Sequence, residues 1–389
     1  MSSPPQSVAP TVLLVSHLLN YSGAPLALLG VAELMRHMGL AVIVLSPVGG
    51  PLQRAFEQKG CRVLIVPRPQ DIDPRYFRRM GVELCICNTV TTSACFAAYA
   101  AELPSLLWIH ENMTPPVAAR KRESIFPDEE FWWGLESAVS GVMHPRLLQR
   151  LLPLQKQVIF CSELALAPFR KLFPDAGVMP YILRDQATAE EAALPAPRGG
   201  DVVHFAFIGS FDQRKAPHLI LEALSLVPPS LRRRCRISLV GRPAEPDAYA
   251  MQLETQAASF AEVQLLPIME PQKVQHFYKT VDVLLCPSQS DPMPMVVTEA
   301  WMHGCAVVMS ENVGQRSMAE EGAARNAYVV PVGDAAALAA VMQHLAEHPE
   351  ELPQLSRNAR RSYERYFDAA PPARRWTEKV AELPGAIFE

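Results

Sequence analysis

The sequence predicts an α/β protein made of two doubly wound parallel domains that face a central cleft. Three observations carry this. Short apolar runs alternate with stretches of helical periodicity along the whole chain. The alternation breaks once, at the Ala-, Pro- and Gly-rich QATAEEAALPAPRGG of residues 186–200, and then restarts. The length, 389 residues, is enough for two domains with a core each.

In order, residues 1–10 read as a disordered lead-in. TVLLVSHLL reads as a buried strand and YSGAP as a turn. LALLGVAELMRHMG reads as a helix, with Gly39 as its stop. LAVIVLSP is a strand, PLQRAFEQKG a helix and CRVLIVP a strand. VELCICN, SLLWIHE and KQVIFCS continue the strands of this half. After the break, VVHFAFIGS is a strand, APHLILEALSLV a helix, CRISLVG a strand and AYAMQLETQAASF a helix. VQLLP, VDVLLCPS, CAVVMS and AYVVP follow as strands with helices between them. The pattern places one domain at 11–185, a linker at 186–200 and a second domain at 201–365. A terminal helix at 366–389 is expected to pack back on the first domain.

Composition narrows the function. The chain is 49% hydrophobic and 20% charged, with a net charge of -4. A general nucleic-acid binder would be basic, so no nucleic-acid partner is expected. The basic run Arg232, Arg233, Arg234 and Arg236 reads as a solvated helix end. None of the eight cysteines forms a C-x-x-C pair, and most lie in apolar runs, as core thiols of a reducing compartment do. MSSPPQSVAP has no basic stretch and no long apolar run, so no secretory leader is expected. No run has the length of a membrane span. The expected location is cytoplasmic. PRYFRRMG and HPRLLQRLLPLQKQ mix basic and apolar residues and suit a peripheral contact with an anionic membrane surface, against the plainer reading of amphipathic packing.

The most informative stretch is SDPMPMVVTEAWMHGCAVVMS, residues 290–310. Asp291 lies in a loop leaving the carboxyl end of a strand, stiffened by Pro292 and Pro294. The next helix is expected to begin near Met295, carry Glu299 in its first or second turn and end at Gly304. Carboxylates there suit sugar or ribose hydroxyls, and the open N–H groups of a helix start suit a phosphate. FIGSFDQRKAPHLILEAL puts Arg214 and Lys215 after another strand, an arginine fork and a point charge that could neutralise a diphosphate. Taken singly, each feature reads as an ordinary helix start or cap. Both lie at carboxyl ends of strands in one half of the chain, where such sheets bind ligands.

These stretches resemble retaining glycosyltransferases of family 4. SDPMPMVVTEAWMHGCAVVMS is similar to their E-x7-E region, GSFDQRKAPHLILEAL to their RKG phosphate loop, and YVVPVGDAAALAAVMQHLAEHP to their C-terminal pattern. The resemblance implies two Rossmann-like domains in the GT-B arrangement. It implies Glu299 on the ribose of a nucleotide-sugar donor, Asp291 facing the donor sugar, and Arg214 and Lys215 on the diphosphate. Backbone N–H groups of Met295 and Val296 would add donors, and Gly241 and Arg242 with Leu266 to Ile268 would lie near the base. Gly23 would stand against the donor phosphate. His110 would donate a hydrogen bond to the sugar or the leaving phosphate, against a capping or core reading. Asp291 stands where a glutamate is commoner, Pro292 and Pro294 remove N–H donors, and Ala216 stands where the family has glycine.

The implied reaction is sugar transfer from a nucleoside diphosphate to a glycan or lipid-linked acceptor, with retention and same-face attack. No cofactor and no metal are expected, on the reading that the chain carries no D-x-D metal motif. The first turn lacks G-x-G-x-x-G, which disfavours a nicotinamide dehydrogenase. No carboxylate stands out as a glycosidase nucleophile. A nucleotide-sugar epimerase, a phosphorylase and a non-catalytic nucleotide-sugar-binding scaffold are the competing readings. His17 reads as part of an apolar strand. Trp132 and Trp133 read as a packed helix face before a sugar platform.

Overall fold

The computed structural model describes residues 10–116, 129–185, 201–368 and 370–383. The expected linker at 186–200 lies outside the described residues, as do residues 1–9 of the lead-in. By its internal contacts the chain divides into two units. Unit 1 takes Met1–Arg184 with Ala369–Glu389, and unit 2 takes Asp185–Asp368.

Unit 1 holds seven strands: β1 (Thr11–Ser16), β2 (Ala41–Ser46), β3 (Arg62–Ile65), β4 (Val82–Asn88), β5 (Ser105–Ile109), β6 (Val158–Phe160) and β7 (Gly177–Val178). They form one sheet in the order β3-β2-β1-β4-β5-β6-β7, with every pairing parallel. The central strands are apolar on both faces because helices cover both sides of a parallel sheet. All six residues of β1 are buried. The helix Ala370–Ala381 belongs to this unit, and its Trp376 ring meets the buried Trp108 of β5 edge-on at 5.2 Å.

Unit 2 holds β8 (Val203–Ile208), β9 (Cys235–Arg242), β10 (Val263–Pro267), β11 (Val283–Cys286), β12 (Ala306–Ser310) and β13 (Ala327–Val330). Their order is β10-β9-β8-β11-β12-β13, again all parallel. Phe205, Ile237, Val283 and Val308 put four strands into one core with Leu224 and Met342 from flanking helices.

Each sheet reverses its direction of growth once, between β1 and β4 in unit 1 and between β8 and β11 in unit 2. The carboxyl ends at such a switch point leave a crevice where ligands bind. One expectation shifts: YSGAP is not wholly a turn, since the helix after β1 already starts at Gly23 and runs to His37. The short helices Pro74–Arg79 and Pro145–Leu151 fall on two segments read only as basic and apolar mixtures.

Candidate active site

At the β8/β11 switch point the loop after β8 is folded on Asp212. Its Oδ1 accepts the Lys215 N–H at 2.7 Å, and its carbonyl accepts the Ala216 N–H at 3.0 Å. Ala216 takes a left-handed backbone, φ 54°, which costs an L-residue about 1–2 kcal/mol. A glycine would hold that conformation freely, and the alanine here holds it with strain. The loop after β11 is stitched on both sides. The Gln289 N–H donates to the Arg214 carbonyl at 2.7 Å, Asp291 N–H to Asn312, and Gly314 N–H to Asp291, the last two at 2.9 Å.

The result brings Arg214, Lys215 and Asp291 together. Lys215 Nζ forms an ion pair with Asp291 Oδ2, and Arg214 Nη1 lies 3.7 Å from the same oxygen. The Asp291 side chain is 9% exposed and that of Arg214 is 54% exposed. Two cations share one carboxylate, so one positive charge is left over, on a guanidinium that reaches solvent. The helix that follows runs Met295–Met302 with Pro294 as its N-cap, and Gly304 past its end has φ 67°. Buried Gln315 fixes this start, donating to the Pro294 carbonyl at 2.8 Å and to Thr298 Oγ1 at 3.2 Å. The N–H groups of Met295 and Val296 belong to the first turn, where a helix has no internal acceptor for them.

Glu299 has different partners from Asp291. Its Oε2 is 3.1 Å from the Tyr278 hydroxyl, which is equally far from the Val296 carbonyl, and Gln275 Nε2 approaches its Oε1 at 3.4 Å. Gln275 Oε1 lies 2.6 Å from His303 Nε2, and the His303 ring stacks on Tyr278 at 5.4 Å. Burial pushes the Glu299 carboxyl up to about 6, against the pull of the Tyr278 hydrogen bond, and burial holds His303 down to about 4. Thus one acid is neutralised by cations and the other carries its charge with only neutral donors. Sequence reasoning missed Tyr278, Gln275, His303 and Gln315. Their only signal is polarity next to apolar runs.

Gly241, the last residue but one of β9, has φ 135°, and a Cβ there would lie 1.8 Å from the Gly209 carbonyl oxygen. Its glycine is a condition of packing β9 against the end of β8. Gly241→Ala is expected to destabilise unit 2 by at least about 3 kcal/mol, read by urea unfolding, because both the backbone strain and the clash must be relieved. Arg242 is exposed and pairs with Glu254 at 2.7 Å, and exposed Ile268 donates its N–H to the Arg242 carbonyl at 3.2 Å. Gly23 is exposed, with nothing within 4 Å of where a Cβ would stand, so close approach of a ligand backbone-on is sterically open.

In unit 1, His110 follows β5 and its ring packs on Trp108 at 4.3 Å. Burial holds His110 down to about 3, so the ring is neutral, and its buried Nε2 has no hydrogen-bond partner among the described residues. His17 corrects the sequence reading. β1 ends at Ser16, and His17 lies past the strand with its Nδ1 3.3 Å from Thr89 Oγ1. Burial holds it down to about 4. Thr89, after β4, has φ 83°, an outlier for a β-branched residue. What holds it is next door. Glu111 Oε2 accepts both the Val90 N–H and the His110 N–H, each at 3.1 Å, tying the β4 and β5 ends together. Glu111→Ala is expected to cost about 1–3 kcal/mol in urea unfolding, since two partly buried N–H groups lose their acceptor. Glu111→Gln, which keeps an oxygen in place, is expected to cost clearly less.

Trp133 stacks on His144 at 5.4 Å with Arg146 over its ring, so the packed-face reading fits better than a sugar platform. The reading that no D-x-D motif occurs is corrected: Asp71 and Asp73 form such a triplet in unit 1, paired with Arg68 and Arg75 on the surface. Among the described residues no cluster of His, Cys, Asp and Glu could hold a metal ion.

A family model for glycosyl transferases group 1 matches residues 196–362, and one for glycosyl-transferase family 4 matches residues 9–123. Between them the two models match most of both units, so the chain is similar to family 4 glycosyltransferases in each. The fold is the GT-B fold. HepE of Anabaena, solved with UDP and glucose, superposes with a TM-score of 0.72 at 16% identity, covering 96% of this chain and 99% of that one. Sucrose-phosphate synthase of Thermosynechococcus elongatus gives 0.69 at 16%, covering 95% and 98%. The D-inositol 3-phosphate glycosyltransferase of Geodermatophilus obscurus is 31% identical over 198 residues, 48% of this chain and 42% of that protein. The match thus spans less than half of that relative's length.

Proposed function

We propose that the chain moves a sugar from a nucleoside diphosphate sugar to a hydroxyl of a glycan or lipid-linked acceptor, with retention and without a metal. One observation carries the reading: Arg214 and Lys215 converge on Asp291 at the β8/β11 switch point, directly ahead of the helix start at Met295. A diphosphate placed there takes over the two cations and the first-turn N–H groups. Charge growing on the leaving group is then met by fixed dipoles and cations that need no reorganisation. Glu299 accepts from the ribose hydroxyls, and Asp291, released from part of its pairing, turns to the donor sugar.

Retention by same-face attack is favoured because Asp291 is tied up by Lys215, which makes a poor nucleophile of its carboxylate. In this reading the departing diphosphate helps take the proton of the acceptor hydroxyl. HepE was solved with UDP-glucose, so UDP-sugars come first among the donors to test, with GDP-sugars beside them. The acceptor panel includes inositol 3-phosphate, after the relative's name, as well as glycans and lipid-linked saccharides. The test is nucleotide release in the presence of EDTA, followed by NMR of the product's anomeric centre. Acceptor-dependent release with the donor's configuration kept is expected. An inverted product or a need for metal contradicts the proposal. Sugar conversion without acceptor points to the epimerase, and binding without turnover to the scaffold.

Among the described residues no helix is long and apolar enough to cross a membrane. For a lipid-linked acceptor the reading places the chain in the cytoplasm, with a peripheral contact through Pro74–Arg79 and Pro145–Leu151. Co-sedimentation with anionic vesicles, absent with neutral ones, tests that contact. Two of the arginines there, Arg75 and Arg78, already face Asp73 and Glu102.

A further inference from the structure

A cavity of about 130 Å³ opens in unit 2 between the helices His218–Leu226 and Ala248–Ala257. Its lining includes Gln213, the residue before Arg214. The second helix buries Ala250, Leu253 and Ala257 in the core. The neighbouring row, Tyr249, Gln252 and Gln256, lines the cavity at helical spacing, across from His218 and Glu222 on the first helix. Facing helices ordinarily close such a groove by interlocking side chains. Here amides leave it open.

One wall is fixed: the Tyr249 hydroxyl lies 2.6 Å from His218 Nδ1, with the rings edge to face at 5.8 Å. The side chains of Gln213, Gln252 and Gln256 have no hydrogen-bond partner among the described residues. Each amide offers both a donor and an acceptor, which is what vicinal hydroxyls require. No lysine or arginine lines the cavity and one carboxylate does, so an anion is poorly served. Leu253 is the one aliphatic lining residue, too little for a lipid chain. The tyrosine ring and Leu253 suit the C–H face of a sugar. The volume is that of roughly ten waters, enough for one pyranose ring.

We propose that this cavity is a saccharide site, distinct in its residues from the Lys215–Asp291 centre, that takes a neutral hexose or N-acetylhexosamine unit. The proposal does not rest on the catalytic reading, since none of its lining residues is assigned to the donor.

Saturation-transfer NMR on the full chain tests it, with glucose, mannose, galactose and N-acetylglucosamine as separate probes and UDP present in excess. At least one probe is expected to receive saturation. Gln252→Trp, which fills the cavity from an exposed helix position, is expected to abolish the signal and leave UDP affinity and the melting temperature unchanged. Should that variant melt early, Gln256→Leu, which removes one amide, is expected to weaken binding about tenfold. Silence from all four sugars overturns the proposal. So does a signal that survives Gln252→Trp, or one that UDP suppresses.

Discussion

Lys215→Ala is expected to lower kcat by about 10²–10³-fold, the usual loss when one fixed donor to a developing negative charge is removed. Its effect on stability should be smaller, about 1–3 kcal/mol. The variant leaves Asp291 nearly buried, but Arg214 Nη1 remains 3.7 Å from its carboxylate and can share the charge. The double variant Lys215→Ala/Asp291→Asn separates the two roles. With the carboxylate gone no buried charge is stranded, so the melting temperature should return close to that of the parent. Turnover should not return. Steady-state kinetics and thermal melts on the same three proteins decide it. A double variant that regained both would make Lys215 a structural counter-ion and nothing more.

Glu299→Ala is expected to weaken nucleotide binding by about 1.5–3 kcal/mol, the range for a hydrogen bond to a charged group. In calorimetry that is about 10- to 150-fold in Kd. The empty protein should not suffer in step. The folded state raises this carboxyl from 4.5 to about 6 through burial. A raised carboxyl favours folding below its unfolded value and loses that contribution as pH rises through the folded one. At neutral pH the buried charge therefore costs about 2 kcal/mol, which the alanine removes. Above pH 6 the empty variant should melt at or above the parent. In the parent, nucleotide affinity should fall as pH drops through about 6 and the carboxylate is protonated, and in Glu299→Gln this dependence should flatten.

The sheets were legible in the sequence because their strands are buried on both faces. VVHFAFIGS and VDVLLCPS are apolar without alternation, which in a chain full of helical stretches marks a parallel sheet. The helix carrying Glu299 was legible too, since Pro294 and Gly304 bound it. Pro74–Arg79 was not, because a six-residue helix is too short to show a period. The partner of each acid was less visible still. Lys215 and Asp291 meet because β8 and β11 pair across a crossover, and no local pattern encodes that neighbourhood. Nor does SDPMPMVVTEAW show that Glu299, one turn into its helix, faces Tyr278 and Gln275 while Asp291 faces the cations. His17 was misplaced because an apolar run does not show where its strand stops, and here the stop falls one residue before the histidine. The strain at Thr89 has no signature in NTVTTS at all.

Diphosphate recognition by Arg214 and Lys215 is what the proposed transfer depends on. Calorimetry of UDP and of uridine against the parent, Lys215→Ala and Arg214→Ala, all in EDTA, measures it directly. UDP should bind the parent far more tightly than uridine does, and each substitution should erase much of that gap while leaving uridine unchanged. If UDP and uridine bind alike, or if the gap survives both substitutions, the cations at the β8/β11 switch point do not hold a diphosphate.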